Sequence, residues 1–345
     1  MPLPVAILVV TYNCERDLPG AFAALAELRS PPAELVVVDC ASADGSVAAA
    51  RRSAPAGIPT TVEALGENLG FAGGMNRAIA LSTAPYLLTL NADARLAPDS
   101  LAALVARLED PQLSRVAAVT GRLVRELPGG AAESPHGAGA PPRLDACGMR
   151  LSWTWRHFDR GSGEPDRGQY DRVERVFGGT GAATLWSRAA VEDVALVPGE
   201  MFDPRFHTFR EDAELCFRLC ERGWAVVYEP AARALHRRRV LPARRRQLAA
   251  LANLNSLRNR YLLRLYHQTF ANFVATLPFT LARDLGALAW VLAVERPSLA
   301  AYGWLWRHRR ELLARRRAIQ ARRTAPAGDL ERWFRTRALP LAGER

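Results

Sequence analysis

The sequence predicts an α/β protein with a mostly parallel sheet covered on both faces, followed by an arginine-rich helical extension. Three observations carry this. Short continuous apolar runs alternate with segments of about a dozen residues that have helical periodicity, the pattern of strands buried on both sides. Each of the clearest runs stops at a polar or acidic residue. After residue 236 the strand signals cease and the charge changes sign.

The first run, Val-Ala-Ile-Leu-Val-Val at 5–10, leads into Thr11-Tyr12-Asn13 and then a helical pattern carrying Leu18, Phe22, Leu25 and Leu28. The unit recurs, with a strand over 34–39 ending in Asp39, a helix from Asp44-Gly45-Ser46 to Arg52, and a weaker strand over 61–65. A helix over 71–82 precedes a fourth strand, 86–91, which ends in Asn91-Ala92-Asp93. In open α/β sheets ligands sit outside the carboxyl ends of the strands, so these polar endings are the candidate site. Strands follow at 116–119, 173–177 and 183–186, the last two around Gly178-Gly179-Thr180-Gly181. The Gly/Pro-rich stretch 127–143 reads as a loop, either a lid or a solvated insertion. A helix over 211–222 stops at Gly223, and a strand from 224 ends near His236. Beyond a boundary placed at 238/239, helical periodicity covers 248–265, 272–294 and 300–323. The body, 1–238, divides near 120 into two halves.

With 49% hydrophobic and 23% charged residues the chain is a folded globular protein, outside the disordered, collagen-like and disulfide-scaffold classes. All 46 basic residues are arginine. From 237 to 345 there are 23 arginines against 6 acids, a net +17, which leaves −6 for residues 1–236. Such an extension is drawn to something anionic: a membrane surface, a phosphorylated ligand or nucleic acid. The five cysteines contain no C-x-x-C, which points to reduced thiols. Residues 1–10 lack a basic n-region and a small-residue cleavage site, so a cytoplasmic body is expected.

Each candidate residue has a functional and a structural reading. Asp39 at a strand end can accept from a pyrimidine N–H or a ribose hydroxyl, and such a residue also serves as a turn or cap. Asp44 reads as structural. In Asn91-Ala92-Asp93 two oxygen-bearing side chains at i and i+2 can share a hard cation completed by phosphate and water, or simply form a turn. Glu211-Asp212-Ala213-Glu214-Leu215 opens a helix, where the dipole favours carboxylates without any catalysis; the functional reading makes Asp212 a general base. His236 is a packing residue or a further metal ligand. Residues 70–76, Gly-Phe-Ala-Gly-Gly-Met-Asn, resemble a weak phosphate cradle but match neither a P-loop nor G-x-G-x-x-G.

Taken in order, Thr11-Tyr12-Asn13, Val37-Val38-Asp39, Glu67-Asn68-Leu69-Gly70 through Asn76, Asn91-Ala92-Asp93, Gly178-Gly179-Thr180-Gly181, Arg210-Glu211-Asp212, Tyr228-Glu229-Pro230 and His236 resemble the family 2 glycosyltransferases of the GT-A fold, in their bacterial rhamnosyltransferase-like branch. The resemblance covers residues 4 to about 240. It implies inverting transfer of a sugar from a nucleotide diphosphate donor, with dTDP-L-rhamnose the expected donor, in cell-surface polysaccharide assembly. Thr11, Tyr12, Asn13, Asp39, Asn68, Gly70, Asn76, Asn91 and Glu211 would contact the nucleotide sugar. Asp93 and His236 would hold Mg²⁺ or Mn²⁺, and Asp212 would be the base. Two departures stand out. Asn91 replaces a carboxylate and leaves one fewer charge on the metal, and Glu214 replaces an Asp and would shift a sugar contact. The absence of Q-x-x-R-W points to one sugar per acceptor. The alternative is a catalytically silent nucleotide-sugar-binding scaffold, against which the joint presence of Asp39, Asp93, Asp212 and His236 speaks. A nicotinamide-dependent dehydrogenase would need a glycine fingerprint where Thr11-Tyr12-Asn13 stands.

In the extension, Pro278, Arg283 and Asp284 cut the apolar stretch 269–294 into pieces of about 14 and 10 residues, where a span needs about 20. Apolar faces with Phe270, Phe273, Leu277, Phe279, Leu288, Trp290 and Leu292, flanked by arginines, suit helices lying on an anionic membrane or a bundle packed on the body. A lipid-linked or glycan acceptor fits the first reading, which places the protein on the inner face of the plasma membrane. No nucleic-acid motif is present.

Overall fold

The computed structural model describes residues 1–126, 141–238 and 250–341. Strand β1 (Leu3–Thr11) pairs in parallel with β2 (Pro32–Asp39) and β4 (Tyr86–Leu90), and β3 (Thr60–Ala64) adds to the far side of β2. The two-residue period of a strand sorts their side chains between two cores. Val5, Ile7, Val9, Leu35 and Val37 pack with helices α1 (Leu18–Ala26) and α2 (Ser46–Arg52). Ala6, Leu8, Val36 and Val38 pack with α3 (Gly70–Ala80) on the other face. Both faces are therefore dry, which is why these strands read as unbroken apolar runs.

The sheet continues from β4 through β11 (Ala183–Ser187), β6 (Val116–Arg125) and β12 (Ala225–His236) to β10 (Glu174–Val176). β11 runs antiparallel to both β4 and β6, whereas β6 and β12 are parallel. Several short elements lie beyond what sequence periodicity shows. Strands β5 (Ala94–Leu96) and β7 (Leu144–Ala146) pair with β12 and β6, while β8 (Met149–Leu151) and β9 (His157–Asp159) form a hairpin of their own. Strands of three residues are shorter than the window in which alternation is visible. Helices α4 (Ser100–Leu108) and α5 (Arg188–Val194) were likewise not anticipated. Helix α6 (Glu211–Glu221) stops where expected, before Gly223 at φ 78°. The loop expected over 127–143 lies, except for its last three residues, outside the described residues.

In the extension α7 (Ala250–His267) lies against α6. His267 is fully buried, its Nδ1 at 3.0 Å from Glu221 and its ring stacked 4.9 Å from that of Phe217. The helix expected over 272–294 is α8 (Phe270–Ala293), which runs 24 residues with Pro278 inside it. Pro278 and the residue four before it, Val274, both lie on the exposed face, so the lost hydrogen bond leaves no acceptor buried without a partner. The helix expected over 300–323 is two, α9 (Ala300–Arg307) and α10 (Arg309–Ala321), which meet at His308. After α11 (Ala327–Glu331), Trp333 and Phe334 enter the main core, where Phe334 lies 5.0 Å from Trp155 and Trp333 lies 6.5 Å from Phe177, ring to ring.

Helix α8 is inverted in polarity. Its buried residues are Asn272, Thr276, Thr280 and Val291, while Phe270, Val274, Phe279, Leu281, Leu285 and Leu292 are each at least half exposed. Asn272 accepts from the Trp155 indole N–H at 2.7 Å. No described helix is long and apolar enough to cross a membrane.

Candidate active site

In-register pairing of Thr11 with Asp39 puts the carboxyl ends of β1 and β2 side by side. The Thr11 hydroxyl donates to Asp39 Oδ2 at 2.7 Å, and Ser42 donates to the same carboxylate from its N–H at 2.9 Å and its hydroxyl at 2.5 Å. Asn13, at φ 55°, ties the two loops together, accepting from Ala43 N–H and donating its own N–H to Ser42 Oγ, both at 2.9 Å. Tyr12 beside it is half exposed. Asp44, read as structural, accepts from Ser46 N–H at 3.0 Å at the start of α2. Thr11, Tyr12, Asn13 and Asp39 thus form one shelf at the sheet's edge, with one carboxylate braced from three sides.

A second group forms where β4 ends. Antiparallel pairing sets His236 opposite Ala94, which brings the histidine beside Asn91 and Asp93. His236 Nε2 lies 3.3 Å from Asp93 Oδ1 and 3.4 Å from Asn91 Nδ2, and its Nδ1 lies 2.7 Å from Asp145 Oδ2. Burial disfavours the imidazolium, yet the hydrogen bonds to Asp145 and Asp93 outweigh it and push His236 up to about 9. Asp145 is itself buried, and His236 and Arg238 hold its carboxyl below the usual range. Arg238 bridges Asp145 at 3.1 Å and Asp159 at 2.6 Å. The sequence reading missed Asp145, Asp159 and Arg238. Local pattern carries no signal for the two acids, because the partnership of Asp145 and His236 spans 91 positions.

The third group opens α6. The Asp212 carboxylate accepts from Gly181 N–H at 3.1 Å and Ala213 N–H at 2.7 Å. Burial pushes it up to about 6, the two N–H donors restrain the rise, and the charge of Asp159 adds to it. Gly181 is needed for this approach, since a Cβ there would meet the Phe71 ring at 3.1 Å. Neighbouring Glu211 is buried, and burial together with Asp212 holds its carboxyl well above the usual range. Its Oε2 has no hydrogen-bond partner among the described residues. A buried acid without a partner is costly to keep and marks a place where a ligand group fits.

The turn before α6 is strained, with His207, Phe209 and Arg210 all at positive φ (58°, 75° and 73°). Such residues cost on the order of 1–3 kcal/mol each and persist only where neighbours fix them. Here the fixing residue comes from the extension. The fully buried Asn259 of α7 donates from Nδ2 to the carbonyls of Phe206, Thr208 and Phe209 at 2.7, 3.0 and 2.7 Å.

Three expected contacts are placed elsewhere. Asn68 accepts from Gly70 N–H at 2.8 Å, and Ala72 N–H in the first turn of α3 donates to His207 O at 3.0 Å. Gly70, at φ 69°, is required for this packing because a Cβ would lie 2.4 Å from that same carbonyl. Asn76 donates to Phe202 O at 2.7 Å and accepts from Met201 and Phe202 N–H at 3.1 and 3.0 Å, which uses its amide oxygen and one of its two N–H donors. Glu214 does not face a sugar; it is fully buried against Arg218 at 2.8 Å and His267 at 3.6 Å.

Among the described residues no group of three or more His, Cys, Asp and Glu side chains is assembled as a metal cage. Asp93 and His236 nevertheless fit a hard cation held largely by a diphosphate, since such ions keep most of their shell for phosphate and water. The Asp145 bond to Nδ1 is the brace that metal-binding histidines use to aim the other ring nitrogen.

Comparison with known proteins agrees with this architecture. Residues 6–129 match glycosyl transferase family 2. The chain is 27% identical to the N-acetylglucosaminyl-diphospho-decaprenol L-rhamnosyltransferase of Mycobacterium tuberculosis, over 67% of this chain and 75% of that protein. In fold it is similar to the mannosyltransferase PcManGT from Pyrobaculum calidifontis in complex with GDP-Man and Mn²⁺, with a TM-score of 0.51 and 18% identity over 93% of this chain and 88% of that one. It is similar also to S. aureus TarS 1–349 in complex with UDP-GlcNAc, with a TM-score of 0.52 and 15% identity over 93% and 91% of the two chains. Residues 6–129 thus match glycosyl transferase family 2, the fold is similar to that of GT-A glycosyltransferases, and the chain is similar in sequence to a rhamnosyltransferase.

Proposed function

We propose that the protein transfers one sugar, with inversion, from a nucleotide diphosphate donor to a lipid-linked glycan acceptor in cell-surface polysaccharide assembly. The observation that carries the reading is Asp212, a carboxylate fixed by the N–H groups of Gly181 and Ala213 at the head of α6. The base accepts the proton of the acceptor hydroxyl as its oxygen bonds to the anomeric carbon. The bond from that carbon to the diphosphate breaks on the opposite face, so the configuration inverts. Thr11, Tyr12, Asn13 and Asp39 form the nucleoside shelf, Asn91 and Glu211 reach the sugar diphosphate, and Asp93 with His236 would hold Mg²⁺ or Mn²⁺. That ion would offset the charge that collects on the leaving diphosphate. The mycobacterial relative's name supports rhamnose and a prenyl diphosphate acceptor, which makes dTDP-L-rhamnose the donor to try first.

The extension would keep the enzyme at an anionic membrane surface, on the cytoplasmic face where nucleotide sugars are supplied. The outward apolar side of α8 and the net +17 of residues 237–345 support this. The test is a thermal-shift panel with dTDP, UDP and GDP, with and without Mn²⁺ or Mg²⁺, on wild type and Asp93→Ala. A ligand that binds only the native state raises the melting temperature. A metal-dependent rise with one nucleotide, lost in Asp93→Ala, is expected; no rise with any nucleotide would remove the reading.

A further inference from the structure

A groove of about 630 Å³ opens between α7, α8, α9 and α10, on the extension and away from the three groups of the candidate active site. Its walls are mainly apolar, with Leu265, Leu305 and Leu313 among them, and its volume falls in the range of small-molecule sites, about 300–1,000 Å³. Its lining includes three arginines and no carboxylate. Arg264 is paired with Asp284 at 2.5 Å. Arg309 and Arg316 have no carboxylate partner among the described residues; they donate to backbone carbonyls of Trp306, Leu265 and Gln268.

The groove is continuous with the inverted face of α8. Phe270, 81% exposed, and Phe273, 38% exposed, belong both to the groove lining and to that outward apolar side. A helix that turns threonines inward and phenylalanine and leucine outward is ordered for a hydrocarbon phase. A slot that begins on that face, runs between apolar walls and carries arginines without acids matches one chemistry: a long hydrocarbon chain ending in phosphate. A second copy of this chain would bring another +17 surface to the same place, which opposes pairing.

We propose that this groove binds the hydrocarbon chain of the lipid-linked acceptor, drawn from a bilayer on which the outer face of α8 rests, with Arg309 and Arg316 attracting its phosphate. The inference rests on the transferase reading for the identity of the lipid, and it adds a chain-recognition site separate from the chemistry.

The experiment compares two acceptors with the same sugar diphosphate head, one on a long prenyl chain in anionic vesicles and one on a short water-soluble chain. In Leu313→Glu and Phe273→Glu, both partly exposed positions, KM for the long-chain acceptor is expected to rise about tenfold or more, the equivalent of roughly 1.4 kcal/mol. KM for the short-chain acceptor and kcat for both should stay within about twofold of wild type. Equal effects on the two acceptors, or none, would overturn the proposal. Binding is also read without turnover, as the melting shift given by a prenyl phosphate in detergent, with inorganic phosphate and the prenyl alcohol as controls. The prenyl phosphate should shift wild type and not Leu313→Glu. No shift in wild type would sink the groove even if transfer succeeds, whereas a shift without transfer to either acceptor would sink the transferase reading and leave the groove. A concentration-dependent dimer in sedimentation that Leu313→Glu dissociates would assign the face to a second copy and overturn the proposal.

Discussion

The Asp212 carboxylate accepts from two backbone N–H groups and has no cation at hydrogen-bond distance among the described residues. Replacement by Asn keeps the shape and removes the base, so transfer should fall about 10²–10⁴-fold while the melting shift given by donor nucleotide persists. In the proposed role the Asp212 carboxylate works only when ionised, and with its pKa raised to about 6 turnover should decline as pH falls through that value and be level above it. A pH profile of kcat measures this; a profile flat down to pH 4.5 would contradict it. On the nucleotide side, Thr11→Val removes a buried hydrogen bond to the Asp39 carboxylate and should cost about 1.5–3 kcal/mol in denaturant unfolding, with a weakened nucleotide shift. Asp39, Asp93, Asp212 and His236 were legible in the sequence because each sits where a strand ends or a helix begins, a position that local pattern can find. Asp145, Asp159 and Asn259 were not, because what makes them matter is a partner tens of residues away. Asn76 shows the converse, a residue marked by its place in a motif whose amide the fold spends on the 201–202 backbone.

At the scale of elements, the parallel half was readable because strands buried on both faces leave unbroken apolar runs, and helices between them keep one apolar stripe. The second half was less so. Its strands mix directions, and β5, β7, β8 and β9 are three residues long. The turn from His207 to Arg210 was invisible for another reason: nothing in those residues announces positive φ, and the conformation is imposed by Asn259 from α7. Asn259→Ala should therefore lower kcat about tenfold or more with donor affinity unchanged, because the turn aims Asp212 and does not touch the nucleotide. Ile319→Ala, which leaves a cavity elsewhere in the core and costs about 2–5 kcal/mol, is the control for stability alone and should leave kcat unchanged. A fall in both would reduce Asn259 to a packing residue. Gly70→Ala places a Cβ 2.4 Å from the His207 carbonyl at φ 69° and should destabilise the protein in denaturant unfolding, whereas the same change at an ordinary helix position stabilises by roughly 0.5–1 kcal/mol.

The molecule as a whole joins two regions that the composition distinguishes by charge, yet the core runs through both. Trp333 and Phe334 pack with Trp155 and Phe177, and Leu339 bridges to Arg175 beside β10. Truncation after residue 323 should accordingly lower the melting temperature and expose apolar surface instead of releasing a stable body. In the extension α7 and α10 pack inward, whereas α8 turns its apolar side out, and the membrane contact proposed above would use that side. Binding to anionic vesicles should weaken between 0.1 and 1 M salt, as the screening length shrinks from about 10 to 3 Å. The residue left at high salt measures the apolar contribution of α8. The central claim is that Asp212 is the base of a sugar transfer, and it is tested most directly by assaying Asp212→Asn for transfer from dTDP-L-rhamnose alongside its melting shift with dTDP and Mn²⁺. The account predicts transfer lost and the shift retained; turnover equal to wild type in that variant would contradict it.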